Sequence, residues 1–345
     1  MLRKKLGCSI SVSYLYLLGL IIASFMVGCA NSKTLKGGSP AQEDQPISTY
    51  TPQTTYEKYK KDFPMLTLPD MTLLAGTQTV MGQIYKSTPS RALRLDWFLP
   101  NEISSNTFTL ILVHGGGWGD GSKENMHALA MRLAAKGIAS VAVNYRLSRE
   151  ASYPAAVEDI KDAVAFVQQN VTNYGLSVKK IAIAGGSAGG QLAALVGVTG
   201  NRVVLPSNNQ LLLPLVAIIN LDGLMDFTLP AALHYENDPN KNPTAAGAWL
   251  EGRFEQIPER WLEASANTHI NKETPPILFI RSSMPRFSVG YSEAIKKLHK
   301  FGIASEEHLF ADAPHSFWLF DPWLDLTLEE INRFLHLYGS HQKRN

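Results

Sequence analysis

The sequence predicts an α/β fold in which helices cover both faces of a mostly parallel, doubly wound sheet. From about residue 70 onward, short β-rich runs alternate with helical segments, which is the pattern of parallel strands joined by crossover helices. Two of the apolar runs lead directly into glycine-rich turns. The chain of 345 residues is long enough to bury a large core.

The pattern of apolar and polar residues predicts the order of the strands and helices. The alternating run 92–99 indicates an edge strand, uniformly apolar runs indicate buried strands, and amphipathic runs ending at glycine indicate helices. The predicted strands are 92–99, 109–113, 138–144, 180–184, 213–221, 277–280 and 307–310. The predicted helices are 123–136, 155–174, one that begins after residue 187 and reaches about 198, and about 324–338.

One region interrupts this rhythm. Residues 226–271 hold helical fragments, several prolines and two tryptophans between two strands. This is far longer than a normal crossover. We expect a helical lid or insertion over the carboxyl ends of the strands, where open α/β sheets bind their ligands.

The N-terminus has the pattern of an export signal. Basic residues precede an apolar stretch that is too short for a secure membrane span and ends in Met26-Val-Gly-Cys29. This ending resembles the bacterial lipobox, which implies lipidation of Cys29 and residence in the cell envelope, at the outer membrane, without a spanning helix. We therefore expect a signal peptide over 1–28, a flexible Ser/Thr/Pro-rich tether over 29–55 and the α/β domain over 56–345.

Composition excludes several functions. A formal net charge of +2 gives no reason to expect a nucleic-acid partner. The only cysteine besides Cys29 is Cys8, in the signal segment, so the mature protein would have no disulfide and no cysteine nucleophile. No histidine pair has the spacing of a metal motif. We predict neither a metal nor a cofactor.

The run Gly185-Gly-Ser187-Ala-Gly189 fits the pattern G-x-S-x-G. It follows a predicted strand and precedes a predicted helix, which is the context of a nucleophile elbow. A tight strand-to-helix turn would strain Ser187 and expose its Oγ at a helix N-terminus. A glycine-rich turn that only packs or binds phosphate is the alternative.

Two further loops complete a possible catalytic site. His114-Gly-Gly-Gly-Trp118 ends an earlier strand, and its glycines allow the N–H groups of Gly115, Gly116 and Gly117 to point at an oxyanion together with that of Ala188. We expect His114 to be structural. His315, in the short loop Ala313-Pro-His-Ser-Phe317 before the last helix, is the candidate general base.

These motifs together resemble the α/β-hydrolase carboxylesterases of the feruloyl and acetylxylan esterase-like group. The resemblance rests on HGGGW, NYRLS, YPAAVEDIKDAVAFV, GGSAGG and PHSF, which occur in the right order over about residues 90–340. It implies an α/β-hydrolase fold and ester hydrolysis through an acyl-enzyme. The run IRSSMPRFS with PHSFWLFDPW is similar to esterases of bacterial pectin-degradation systems.

The position of the triad acid differs from the pattern of that group. The loop after the strand PPILFI usually supplies it, yet this chain has no Asp or Glu between Glu273 and Glu293. The best substitute is Asp222, at the end of the preceding strand; Asp226, Asp312 and a carboxylate of the lid remain alternatives.

The substrate is expected to be a plant polysaccharide that carries acetyl, methyl or feruloyl esters. Trp118 is a candidate for stacking on sugar rings, as are the tryptophans at 249, 318 and 323. Arg281 and Arg286 are candidates for pairing with a uronate carboxylate. A serine peptidase of the prolyl-oligopeptidase type and a non-catalytic, glycan-binding surface lipoprotein remain open as alternatives.

Overall fold

The computed structural model describes residues 48–72, 74, 76–200 and 211–339. The predicted signal segment, the lipidation residue Cys29 and most of the predicted tether lie outside these residues. Within the described ranges, no helix is both long enough and apolar enough to cross a bilayer.

Eight strands form one sheet, in the order β1-β2-β4-β3-β5-β6-β7-β8. The strands from β4 to β8 along this order run parallel, whereas β1 and β2 pair antiparallel at one edge. The predicted mostly parallel sheet is therefore confirmed. The strands are β1 (Gln78–Ser87), β2 (Ala92–Leu99), β3 (Thr109–Val113), β4 (Ala139–Val143), β5 (Ile181–Gly186), β6 (Ile218–Leu221), β7 (Ile277–Ser282) and β8 (Ser305–Phe310).

Ten α-helices surround the sheet in the described part of the chain. Buried apolar residues form one core cluster on each face of the sheet, so both faces are covered. The helices are α1 (Pro52–Tyr59), α2 (His127–Ala135), α3 (Ala155–Asn170), α4 (Ala188–Thr199), α5 (Pro230–Glu236), α6 (Ala245–Leu250), α7 (Pro258–Glu263), α8 (Ala266–His269), α9 (Tyr291–Lys300) and α10 (Trp323–Tyr338).

Two sequence predictions need correction. Strand β2 is not an edge strand, because β1, which the sequence analysis missed, pairs along its whole length. The tether was predicted to reach residue 55, whereas residues 48–55 are folded against the domain and α1 begins at Pro52. Thr51 caps α1 by accepting a hydrogen bond from the N–H of Thr54, which explains why a Ser/Thr-rich run becomes a helix start here.

The predicted insertion consists of the short helices α5 to α8. Its two tryptophans, Trp249 and Trp261, are fully buried and pack with Phe227. Glu236 and Ala245 of the insertion line the same cavity as Ser187. The insertion therefore forms one wall of the site at the carboxyl ends of the strands.

Candidate active site

Ser187 occupies the turn between β5 and α4. Its backbone has φ 56° and ψ −125°, a region that non-glycine residues rarely adopt. A side chain at Gly189 would place Cβ 2.2 Å from the carbonyl oxygen of Val113, so only glycine lets α4 pack this close to β3. The strained turn holds Ser187 at the N-terminus of α4, the position expected of a nucleophile elbow.

His315 and Asp222 extend from Ser187 as a continuous hydrogen-bonded chain. Ser187 Oγ lies 2.8 Å from His315 Nε2, and His315 Nδ1 lies 3.0 Å from Asp222 Oδ2. The three residues come from loops after β5, β6 and β8. This arrangement can move a proton from the serine hydroxyl to the imidazole while a carboxylate fixes the tautomer.

Asp222 is fully buried and held by more than His315. The N–H of Ser282 donates to its Oδ1 at 2.9 Å, and the Ser282 hydroxyl donates to its Oδ2 at 2.5 Å. The turn before it is fixed as well, because Asn220 Oδ1 accepts from the N–H of Gly223 at 2.7 Å and from the Tyr291 hydroxyl at 2.9 Å. The two donors of Ser282 fix the direction in which the Asp222 carboxylate faces His315.

The other two candidate acids have different partners. Asp226 Oδ1 accepts from the N–H and the hydroxyl of Thr228 at 2.9 Å and 2.7 Å. Asp312 Oδ1 accepts from Trp323 Nε1 at 3.2 Å. Neither carboxylate contacts His315 among the described residues, so the geometry assigns the contact with the imidazole to Asp222.

Burial lowers the pKa of His315 below its usual value, although the hydrogen bond and the charge of Asp222 oppose this effect. The imidazole is therefore neutral at neutral pH and able to accept a proton. The ring of Phe287 stacks on it, with the ring centres 3.3 Å apart and the planes 10° apart. Sequence reasoning missed Phe287, since no motif distinguishes it from an ordinary loop aromatic.

The glycine loop after β3 lies beside the elbow. Gly115 packs against the carbonyl oxygen of Gly186, and Gly117 and Ala188 line one cavity with Ser187. Gly116 has φ 118°, and a Cβ there would come within 2.2 Å of the carbonyl oxygen of Asp120. Within the described part of the chain, the N–H groups of Gly116, Gly117 and Ala188 have no acceptor, so they are available to an oxyanion.

His114, at the start of this loop, contacts the loop backbone. It is buried and stacks on Tyr145, with ring centres 4.3 Å apart, and Nδ1 lies 2.8 Å from the carbonyl oxygen of Gly115. Burial lowers its pKa to about 4. These contacts are those of a structural residue that shapes the loop.

Two spaces of unequal size flank Ser187. A cavity of about 60 Å³ is lined by Trp118, Leu224, Glu236, Arg286 and Phe287, with the glycine loop and Ala188. A cleft of about 410 Å³ lies on the side of His315. Phe287 borders both spaces, as do Gly117 and Ser187.

The residues predicted to bind substrate are placed differently from one another. Trp118 lines the small cavity, but its ring is buried and stacks on Trp249 at 5.1 Å, and Nε1 donates to Gln191. It is thus a wall of the cavity and offers no free face to a sugar ring. The tryptophans at 249, 318 and 323 are also buried, at most 1% exposed, which corrects their expected stacking role.

The two arginines have carboxylate partners in the protein. Arg281 forms an ion pair with Glu307 of β8 and lines neither space, so the structure does not bring it to the site. Arg286 does line the small cavity, where Nε donates to the buried Glu236 at 2.8 Å. Each charge is already matched, which weakens the expectation that these arginines bind a uronate.

Two acidic clusters have a geometry that could hold a metal ion. They are Asp96 with Glu124 and His127, and Glu306 with His308 and Glu330. In both, a protein cation occupies the centre: Lys123 pairs with Asp96 and Glu124, and Arg333 pairs with Glu306 and Glu330. Both clusters are therefore explained as ion-pair networks.

Comparisons with known proteins agree with this architecture. The family model described as BD-FAE matches residues 95–294. A probable carboxylic ester hydrolase, LipM of Mycobacterium tuberculosis, is 32% identical over 58% of this chain and 46% of its own length. Esterase LipC of the same organism is 27% identical over 58% of this chain and 49% of its own length. The chain thus spans about half the length of these curated relatives.

A solved structure, a truncated carbohydrate esterase from gut microbiota, superposes with a TM-score of 0.65 at 20% identity. The match covers 79% of this chain and 100% of that one. At this identity the likeness establishes the fold alone. The predicted α/β-hydrolase fold is confirmed.

Proposed function

The chain belongs to the BD-FAE family, and on that premise we propose that it is a serine esterase that hydrolyses carboxylic esters through an acyl-enzyme. Ser187 Oγ attacks the ester carbonyl while His315 Nε2 takes its proton. The N–H groups of Ala188 and of the glycine loop stabilise the oxyanion, and Asp222 stabilises the imidazolium. His315 then protonates the leaving alcohol, and a water molecule that it activates releases the acid.

The observation that carries this proposal is the unbroken hydrogen-bonded chain from Ser187 Oγ through His315 to Asp222 Oδ2, at 2.8 Å and 3.0 Å. It coincides with the strained turn at Ser187 and with free amides beside it. Such strain persists only where the surroundings enforce it. A non-catalytic glycan-binding protein has no need of these features, and the curated relatives named above are esterases.

The two spaces beside Ser187 support a small acyl group and a large leaving alcohol. His315 must protonate the leaving oxygen, so the cleft that His315 lines is the side from which the alcohol departs. The acyl group then occupies the cavity of about 60 Å³. This cavity is much smaller than the cleft, so it suits the smaller part of the ester.

This asymmetry favours acetyl esters over the other two expected classes. An acetyl group adds one methyl to the carbonyl and fits the cavity. A feruloyl group, with an aromatic ring and a propenoyl arm, is larger and matches the smaller space less well. A methyl ester of a uronate places the sugar on the acyl side and only methanol in the cleft, the reverse of the available space. We propose that the substrate is an acetylated plant glycan.

The test has two parts. A fluorophosphonate probe should label Ser187, and the S187A variant should not react; an unlabelled wild-type protein would favour the glycan-binding alternative. Nitrophenyl esters of increasing acyl length should then show kcat/KM falling steeply beyond acetate. A panel of acetylated xylan, acetylated pectin, methylated pectin and feruloylated glycan, with a peptide amide substrate added, identifies the ester. Preference for the feruloylated, methylated or amide substrate would overturn the acetyl-ester proposal.

We further propose that the protein is exported and held in the outer membrane by lipid on Cys29, which would keep it where extracellular glycans arrive. The Met26-Val-Gly-Cys29 run supports this location. Incorporation of labelled palmitate into the wild-type protein and its loss in C29A is the expected result. Labelling that survives C29A would contradict it.

A further inference from the structure

The segment formed by residues 48–59, here called the N-terminal arm, is docked against the active site. The N–H and hydroxyl of Thr49 and the N–H of Tyr50 all donate to Asp120, in the loop that follows the glycine run. The Tyr50 hydroxyl lies 3.1 Å from Ser316 Oγ, beside His315. Asn125 Nδ2 donates to the carbonyl oxygen of Tyr50 at 3.0 Å.

The arm forms one wall of the cleft on the leaving-group side. Six of the residues that line this cleft belong to the arm, and they face Ser187, His315 and Phe287 across it. An alcohol that leaves from Ser187 must therefore pass against the arm. The arm residues that line the cleft are Thr49, Tyr50, Thr54, Thr55, Lys58 and Tyr59.

Lys58 is the cation of this wall that lacks an acidic partner. Within the described residues it contacts no carboxylate, and its Nζ lies over the Tyr59 ring, 5.0 Å from the ring centre. Its charge reaches the catalytic site, since it helps to lower the pKa of His315. By contrast, the arginines considered above are both matched by glutamates.

One carboxylate, Asp120, also lines the cleft. Three donors from the N-terminal arm and the N–H of Gly121 satisfy it. These bonds lower the pKa of Asp120 although its burial opposes them, so it remains an ionised anchor for the arm. It is occupied by the protein, whereas Lys58 remains available to a ligand.

We propose that the N-terminal arm is the leaving-group subsite and that it selects an alcohol bearing a carboxylate, such as an acetylated uronic-acid glycan, through Lys58. This inference rests on the proposed esterase function and specifies the side of the substrate that the arm contacts. A carboxylate beside Lys58 balances its charge, and Tyr59 lines the cleft next to it.

The experiment compares K58M with K60M. Lys60 follows α1, lies outside the cleft lining and pairs with Glu57 at 2.5 Å, so K60M removes the same charge from the same surface without touching the subsite. Acetate release is measured on acetylated oligogalacturonides and on neutral acetylated xylo-oligosaccharides, at low and at high salt. The quantity compared is the ratio of the two kcat/KM values.

We expect K58M to lower the acidic-to-neutral ratio by about two- to five-fold, the size of an exposed ion pair, and K58E to lower it further. K60M should keep the wild-type ratio, and high salt should remove the difference between wild type and K58M. Equal ratios in K58M and K60M would overturn the inference. So would a wild-type enzyme that hydrolyses nitrophenyl acetate but not the acidic oligosaccharide, a result that leaves the esterase proposal standing. Absence of hydrolysis of every ester, with no labelling of Ser187, would instead refute the esterase proposal.

Discussion

Replacing Asp222 by asparagine tests the assignment on which the proposed mechanism most depends. Asp222 Oδ2 accepts from His315 Nδ1 and from the Ser282 hydroxyl, while Oδ1 accepts from the N–H of Ser282. An asparagine amide has only one oxygen. If the amide nitrogen takes the Oδ1 position, its N–H groups face the backbone N–H of Ser282, which cannot rotate to become an acceptor.

The opposite orientation of the asparagine amide leaves no donor facing another donor, but it prevents His315 from acting as the general base. With the amide nitrogen at the Oδ2 position, the Ser282 hydroxyl can rotate to accept, and His315 can accept at Nδ1 by moving its proton to Nε2. That tautomer presents an N–H to Ser187 Oγ and cannot take the serine proton. The inactive tautomer, with the proton on Nε2, is the one that satisfies all the hydrogen bonds around the asparagine. We therefore expect kcat to fall by about 10⁴, or about 5 kcal/mol of transition-state stabilisation.

The assay is the steady-state kcat on nitrophenyl acetate at neutral pH, with thermal unfolding to show that D222N is folded. The matched control is D226N, four residues further along the chain, whose carboxylate contacts Thr228 and not His315. D226N should retain most of the wild-type kcat. A D222N enzyme within about ten-fold of wild type, or a larger loss in D226N, would refute the assignment of Asp222 as the acid.

The remaining predictions concern the groups around this chain. S282A removes the hydroxyl that donates to Asp222 at 2.5 Å; we expect kcat to fall by about ten-fold or more, and an unchanged kcat would show that the backbone N–H suffices. G116A should lower kcat by about 10²–10³ with the probe still able to reach Ser187, because the added methyl displaces the oxyanion loop from Asp120. Burial lowers the pKa of His315, so the neutral base persists into mildly acidic solution; the acid limb of kcat/KM should lie below the ordinary histidine pKa of about 6.5, and a limb above it would contradict this.

Local signals in the sequence were sufficient for most of the fold. Uniformly apolar runs identified the central strands. The G-x-S-x-G pattern identified Ser187 as the residue at the strand-to-helix turn, because the small residues that such a turn requires are its neighbours in sequence. Asp222 could be favoured because the carboxyl ends of parallel strands meet at one edge of a sheet. The structure brings its carboxylate to His315.

Features that depend on distant partners were not predictable. The ion pairs of Arg281 and Arg286 join residues 26 and 50 positions away, so nothing near them in sequence shows that their charges are matched. The N-terminal arm resembles a linker in composition, and its attachment to Asp120 spans about 70 positions. Strand β1 was missed because none of its residues is fully buried at the sheet edge and half of them are exposed, which leaves it without a clear apolar pattern.

The bracing of Asp222 by Ser282 has a consequence for how this scaffold can diversify. With the acid directly after β6, strand β7 holds Asp222 through Ser282, its last residue. The segment beyond β7 contacts the triad through Phe287, whose ring stacks on His315. Residues 283–290 supply no member of the triad, yet they include Arg286 and Phe287, which line the small cavity. Loop grafts that begin at residue 283 should therefore exchange acyl preference between relatives as a module, and Phe287 is the side chain that such a graft needs to preserve.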